Sequence, residues 1–146
     1  MQIFIPGNVP SLKNSKMAVP GKGVFASKAV TKYLRSLGIQ SYSARKKEVK
    51  GYKDEAARPN VFRECTRNLR EDMKLIKKPY RIGFFFVRDS RRKFDFINSM
   101  QIILDLLVAH DVLDDDDCDN VVPYMLLLDG LWYRVNPSNP GVILYF

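Results

Sequence analysis

Polar and apolar residues alternate from Gln2 to Pro6 (QIFIP) and the pattern stops at Pro-Gly, which predicts a short strand leading into a loop. The next stretch, PGNVPSLKNSKMAVPGKGVFAS, is rich in Gly, Pro, Ser and Lys. It is too long for an ordinary connection, so it is expected to be functional or mobile. Ser27 stands where it would cap a helix through AVTKYLRSLGI, and a second helix is expected over Val61 to Ile76. Between them ARKKEVKGYKDEAARPN is charged and poorly patterned. After Lys78-Pro79, YRIGFFFVRD is dense in β-branched and aromatic residues, the mark of a buried strand, and RDSRRK follows as a basic turn. From Phe94 to about His110 the spacing becomes helical. Ile97, Met100, Ile103, Leu104 and Leu107 share one side, and Asp95, Asn98, Gln101 and Asp105 the other. Beyond the acidic turn DDDDCDN, the segments VVPYMLLLDGLWYRV and GVILYF read as strands with DG or NPSNPG at their turns. The predicted order is β-α-α-β-α-β-β: an α+β fold with a small mixed sheet flanked by helices, in which the helix between strands marks a crossover.

With 146 residues, 46% of them hydrophobic, the chain is long enough for one core and is read as a single domain, 1–146. It holds no run of 18 apolar residues, and MQIFIPGNVPSLKNSK lacks the build of a signal peptide. A soluble, cytoplasmic protein with no membrane partner is expected. Two cysteines, Cys65 and Cys118, and one histidine, His110, do not supply a four-ligand zinc site, and Cys65 is expected to be a half-buried helix residue. No motif for an organic cofactor is found.

The charge is unevenly spread. Residues 1–93 hold 23 of the 24 Lys and Arg and 7 of the 16 Asp and Glu, a balance of +16, while residues 94–146 hold Arg134 against nine aspartates, a balance of −8. A basic part that binds polyanions, joined to an acidic part that repels them, is chemically coherent when a divalent cation sits between the two. Hydrolysis of a phosphodiester near neutral pH needs neutralisation of the phosphate and an activated water, and carboxylate-held magnesium supplies both. Asp95 follows directly on the basic cluster Arg88, Arg91, Arg92 and Lys93, and the acidic run Asp114 to Asp117 follows the same helix at its other end. A straight helix separates those ends by about 25 Å. Either the acidic turn folds back, or a partner subunit supplies it.

The segment RRKFDFINSMQIILDLLVAHDVLDDDDCDNVVP resembles the signature of the RusA family of Holliday-junction resolvases, approximately K-x-D-x-D-N, then D-x-L, then G-x-x-x-D-D before a strand. Lys93, Asp95, Asn98, Asp105, Asp115 and Asp116 fall on its positions, and IPGNVPSLKNSK followed by SKAVTKYL is similar to the family's N-terminal strand and polar loop. Residues 40 to 75 carry no such likeness. The resemblance implies a homodimer that nicks two strands of a four-way DNA junction with Mg²⁺ or Mn²⁺. It implies that Asp95 and Asp116 ligate the metal and that Asp115 ligates it or orients a water; where a carboxylate of the signature is missing, Asn98 and one of Asp114 to Asp117 are expected to compensate. Lys93 and Arg92, with Arg91 and Arg88 beside them, would then hold phosphates, and Lys13, Asn14 and Lys16 would reach the DNA backbone.

Three positions depart from that signature: Ile97 stands in place of its second aspartate, Gln101 in place of a lysine, and Asp111 in place of a glycine. Plainer readings also exist. Asp95 suits a helix N-terminus in any protein, and runs such as Asp114 to Asp117 are commonly solvated turns. The register of the run Asp114 to Asp117 is open, with Asp117 as an alternative to Asp116 for the ligand that the resemblance implies. Asp105 lies about 15 Å along the helix from Asp95 and is expected to hydrogen-bond or pair rather than to join the metal site. His110 is expected to cap its helix. Trp132 and Tyr133 are read as core or dimer contacts, with stacking on bases as the other use of such rings.

Overall fold

A computed structural model describes residues 1–11, 16–19, 23–54 and 56–146. Its axis is strand β6 (Tyr80–Arg88), where Ile82, Phe84, Phe85, Phe86 and Val87 are all buried, as a central strand covered on both faces requires. On one side of it β9 (Gly141–Tyr145) runs antiparallel, and β1 (Gln2–Pro6) runs antiparallel beyond β9. On the other side β7 (Val121–Met125) pairs parallel with Tyr80 to Phe84, and β8 (Tyr133–Val135) pairs parallel with Phe86 to Arg88. The stretch expected to be a strand, VVPYMLLLDGLWYRV, is thus two strands sharing one edge of β6. Residues 126–132 leave the sheet between them and reverse at Asp129 and Gly130, both at positive φ, beside a bridge between Leu128 and Leu131. The result is a five-stranded mixed sheet in an α+β fold.

Helix α4 (Phe96–Ala109) makes the crossover from β6 to its parallel neighbour β7. Ile102, Ile103, Leu104, Leu106, Leu107, Val108 and Ala109 are buried, so the helix is enclosed on most of its circumference. Phe94 and Phe96 at its start meet Phe86 edge to face, at 5.7 and 5.6 Å between ring centres. Ile97, on the apolar side assigned to it, is 67% exposed. By angle it lies between the buried Leu104 and Val108, so its exposure comes from its place in the first turn of α4 and not from the side it occupies.

Two hairpins were not anticipated: β2 (Lys16–Val19) with β3 (Gly23–Ala26), and β4 (Ile39–Ser43) with β5 (Glu48–Gly51). The first lies within the stretch expected to be a loop and the second within the charged, poorly patterned one. Helix α1 (Lys28–Ser36) starts as expected, with Ser27 Oγ accepting from Val30 N at 3.3 Å. The second expected helix is divided into α2 (Val61–Cys65) and α3 (Leu69–Met73), and Cys65 is half-buried as anticipated. The break falls at Thr66, whose hydroxyl bonds back to Phe62 O at 2.9 Å. Among the described residues no helix is long and apolar enough to cross a membrane.

How α4 ends decides where the acidic run goes. Val112 N donates to Leu107 O and Asp111 N to Val108 O, both at 2.9 Å, and Asp111 has φ +60°. These bonds form a Schellman motif, with Val112 and Leu107 buried against each other's turn. Asp111 therefore adopts a left-handed backbone, and two cations, Lys47 at 3.2 Å and Arg70, hold its carboxylate. Asp111→Gly is expected to change stability by less than about 0.5 kcal/mol, since relief of the left-handed strain offsets the loss of two exposed ion pairs. Asp111→Ala keeps the strain without the ion pairs and is expected to cost about 1–2 kcal/mol, as read by chemical denaturation.

Candidate functional site

Beyond the Schellman turn the chain folds back along α4. Each aspartate of the run then has a separate task. Asp114 pairs with Lys78, which also donates to Asn120 Oδ1 at 2.8 Å. Asp115 Oδ1 accepts from Asp116 N at 2.8 Å. Asp117 Oδ1 accepts from Asp119 N at 3.0 Å and from Asn120 N at 3.1 Å, closing the turn into β7. Asp116 is the one that returns to the helix: Gln101 Nε2 donates to Asp116 Oδ2 and to Asp105 Oδ1, each at 2.8 Å. The acidic turn folds back within one chain as far as Gln101. Asp116 rather than Asp117 is the aspartate that faces α4. Asp105 takes the hydrogen-bonding part expected of it.

The opposite wall comes from the unanticipated β4–β5 hairpin. Its turn brings Lys47 Nζ to Asp111 and to Leu113 O at 3.3 Å, so the hairpin and the acidic run are tied together. Ala44, Arg45 and Lys47, with Val108 from α4 and Asp114, Asp115 and Asp116, line a cleft of about 390 Å³. Carboxylates and cations therefore face one cavity. Hydrogen bonding to Lys47 holds the Asp111 carboxyl below the usual range, and Lys78 does the same for Asp114. On β4, burial and then the nearby charge of Asp105 push the Tyr42 phenol up to about 12, so it stays a neutral hydroxyl at any ordinary pH.

The other predicted residues lie at the start of α4. Asp95 is its N-cap, with Oδ1 accepting from Asn98 N at 3.2 Å, and that engages one of its two oxygens. Asn98 is half-buried, and its Nδ2 is buried without a hydrogen-bond partner. Arg91, Arg92 and Lys93 are exposed and free to meet an anion. Arg88 is not a surface cation. It is 7% exposed, its guanidinium donates to Val9 O and lies 4.5 Å from the centre of the Phe94 ring, and burial lowers its pKa. With Ser99 Oγ, which donates to Pro10 O at 2.9 Å, Arg88 pins the segment after β1 against β6 and α4. Lys16 opens β2, and Lys13 and Asn14 lie outside the described residues. Scans of protein-family models, of curated proteins and of solved structures each return no match to this chain.

Among the described residues no three His, Cys, Asp or Glu side chains converge as a ready set of metal ligands. The donors that do approach one another are oxygens, the type a hard divalent cation takes. Oxygens of Asp105 and Asp116 each lie 2.8 Å from one amide nitrogen, so they are separated by no more than twice that distance. Asp115 adjoins Asp116 in the cleft, and carboxylate oxygens are the donor type that Mg²⁺ or Mn²⁺ takes. Asp95 approaches them from about 9 Å away along the helix axis, six residues before Gln101.

Sequence reasoning missed Tyr42, Arg45, Lys47 and Arg70. The signal was present in the alternation of Ile39 to Tyr42 and of Glu48 to Lys50, which places Tyr42 opposite Val49, but no glycine or proline marks the turn between them. His110 is the C-cap of α4, as expected. Its Nδ1 donates to Leu106 O at 2.7 Å, its Nε2 accepts from Asn60 Nδ2 at 3.0 Å, and Phe62 covers it at 4.6 Å. Burial lowers its pKa, so the folded state holds it neutral rather than as a cation at the helix end. A lowered folded pKa means that the unfolded chain binds the proton first. The stability from His110 is then complete above about pH 6.5 and is lost as pH falls through the lower folded value. Because His110 is the only histidine, denaturant titrations across that window are expected to show a slope that His110→Gln flattens.

Proposed function

We propose that the chain is a metal-dependent, structure-selective DNA endonuclease of RusA-like fold that resolves Holliday junctions by paired nicking. The observation that carries this reading is the return of Asp116 to Gln101 on α4, which brings the acidic run beside the helix that begins at Asp95. Asp116, Asp115 and Asp95 are the proposed holders of Mg²⁺ or Mn²⁺, which supplies charge neutralisation at the phosphate and a water of lowered pKa. Gln101 and Asn98 orient the carboxylates. Exposed Arg91, Arg92 and Lys93, with Lys13, Asn14 and Lys16, meet the DNA backbone, and their attraction is expected to fall with salt. Symmetric cleavage of a four-way junction calls for two copies of the chain, so the proposal includes a homodimer acting in DNA recombination or repair, for which a prophage origin is suited.

Ile97 favours a second reading. Where the RusA signature has a carboxylate, an apolar side chain is 67% exposed, and an impaired site would leave a branched-DNA-binding protein with the resolvase fold. Incubation of a synthetic four-way junction with Mg²⁺, Mn²⁺ or EDTA separates the two. The nuclease reading predicts paired, metal-dependent nicks that drop by at least about a hundredfold in Asp95→Asn or Asp116→Asn. Tight, salt-sensitive binding without nicks under either metal would replace it with the binding reading.

A further inference from the structure

The strongest feature outside the acidic cleft is an aromatic pocket where α4 begins. Lys93, Phe94, Phe96, Met125, Trp132 and Tyr133 line a hollow of about 560 Å³, within the range of sites that take small molecules. Trp132 is 52% exposed and Tyr133 36%, so of the two expected uses, core or dimer contact, the core is set aside. They stand there because residues 126–132 leave the sheet between β7 and β8 and deliver both rings to its edge. The inner wall is fixed. Tyr133 meets Phe94 edge to face at 5.3 Å, and Phe94 is in turn held between Phe86 and the buried Arg88.

Charge says what such a pocket would hold. Lys93 is part of its lining, and Arg91 and Arg92 are exposed just before it, while Asp95 lies between the two lining residues Phe94 and Phe96. A flat ring surface bordered by cations matches a nucleotide, which presents an apolar face to stack and a phosphate to pair. We infer that the pocket takes an unpaired nucleobase of the DNA, stacked on Trp132 and Tyr133, with its phosphate held by Lys93 and the preceding arginines. This deepens the nuclease reading and rests on it for the substrate. Branch points would be preferred because their bases leave the stack most readily, and the captured nucleotide's phosphate would lie next to Asp95.

Trp132 is the only tryptophan, so its emission reports on the pocket directly. The test titrates the full chain, in EDTA, with a short oligothymidylate, with a fully paired duplex of equal phosphate number, and with a four-way junction. The inference predicts that the single strand and the junction quench Trp132 while the duplex barely does. It also predicts that Trp132→Ala weakens junction binding by roughly fivefold to a hundredfold, that Trp132→Phe restores part of it, and that duplex affinity moves less than about twofold. Equal quenching by duplex and single strand, or unchanged junction affinity in Trp132→Ala, would overturn it. So would a variant whose only change, by sedimentation, is loss of self-association, since that assigns the surface to a second copy. Cleavage plays no part in the readout. Base capture without nicking would sink the nuclease reading alone, and an unquenched Trp132 or an unchanged junction affinity in Trp132→Ala, in a chain that still nicks, would sink this inference alone.

Discussion

A helix enclosed on most of its sides has one strip left for polar residues, and in α4 that strip carries Asn98, Gln101 and Asp105. Gln101 on this strip meets Asp116 because the chain reverses direction at the left-handed Asp111 and runs back along the helix. The Schellman turn, the ion pairs of Lys47 and Arg70 with Asp111, and the pairing of Lys78 with Asp114 fix that return path. Without the reversal Asp116 would have no route to Gln101, and the cleft beside the β4–β5 hairpin would lack one wall. The candidate site is in this sense a consequence of how one buried helix ends.

The same helix organises a second region at its other end. Phe94 and Phe96 pack on Phe86, Arg88 lies over Phe94, and the N-terminal segment is drawn in through Val9 and Pro10. Cations that remain exposed are those just before the helix, beside an aromatic hollow. Acidic cleft and aromatic hollow thus belong to two ends of a single rigid element, about 20 Å long at 1.5 Å per residue. A polyanion attracted by the basic surface would meet rings at one end and carboxylates along the side. That arrangement gives a physical meaning to the opposed charge of the two parts of the chain.

Much of the frame was legible because it rests on strong local patterns. β1, the capped start of α1, the buried run of β6, the length of α4 and the crossover it makes all follow from periodicity and capping. Where reasoning fell short, long-range packing decided. Phe62, Leu69 and Met73 keep a helical spacing across residues 61–73 and are all buried, so periodicity gave no sign of the break at Thr66. The β4–β5 hairpin turns without Gly or Pro, and it supplies Tyr42, Arg45 and Lys47 to the site. Arg88 belonged by sequence to a basic cluster, yet the last position of a buried strand carries it inward. Asp111, which closes α4, takes a left-handed backbone that no local pattern announced.

Paramagnetic broadening by Mn²⁺ is the most direct test of the central claim, that the acidic run and the polar strip of α4 form one cation-binding cleft. With the amide resonances assigned, substoichiometric Mn²⁺ is predicted to broaden Gln101, Asp105, Asp115 and Asp116 together, with Asp95 less affected, and Asp116→Asn is predicted to abolish the effect. Broadening confined to the acidic turn with α4 untouched, or unchanged in Asp116→Asn, would contradict the account.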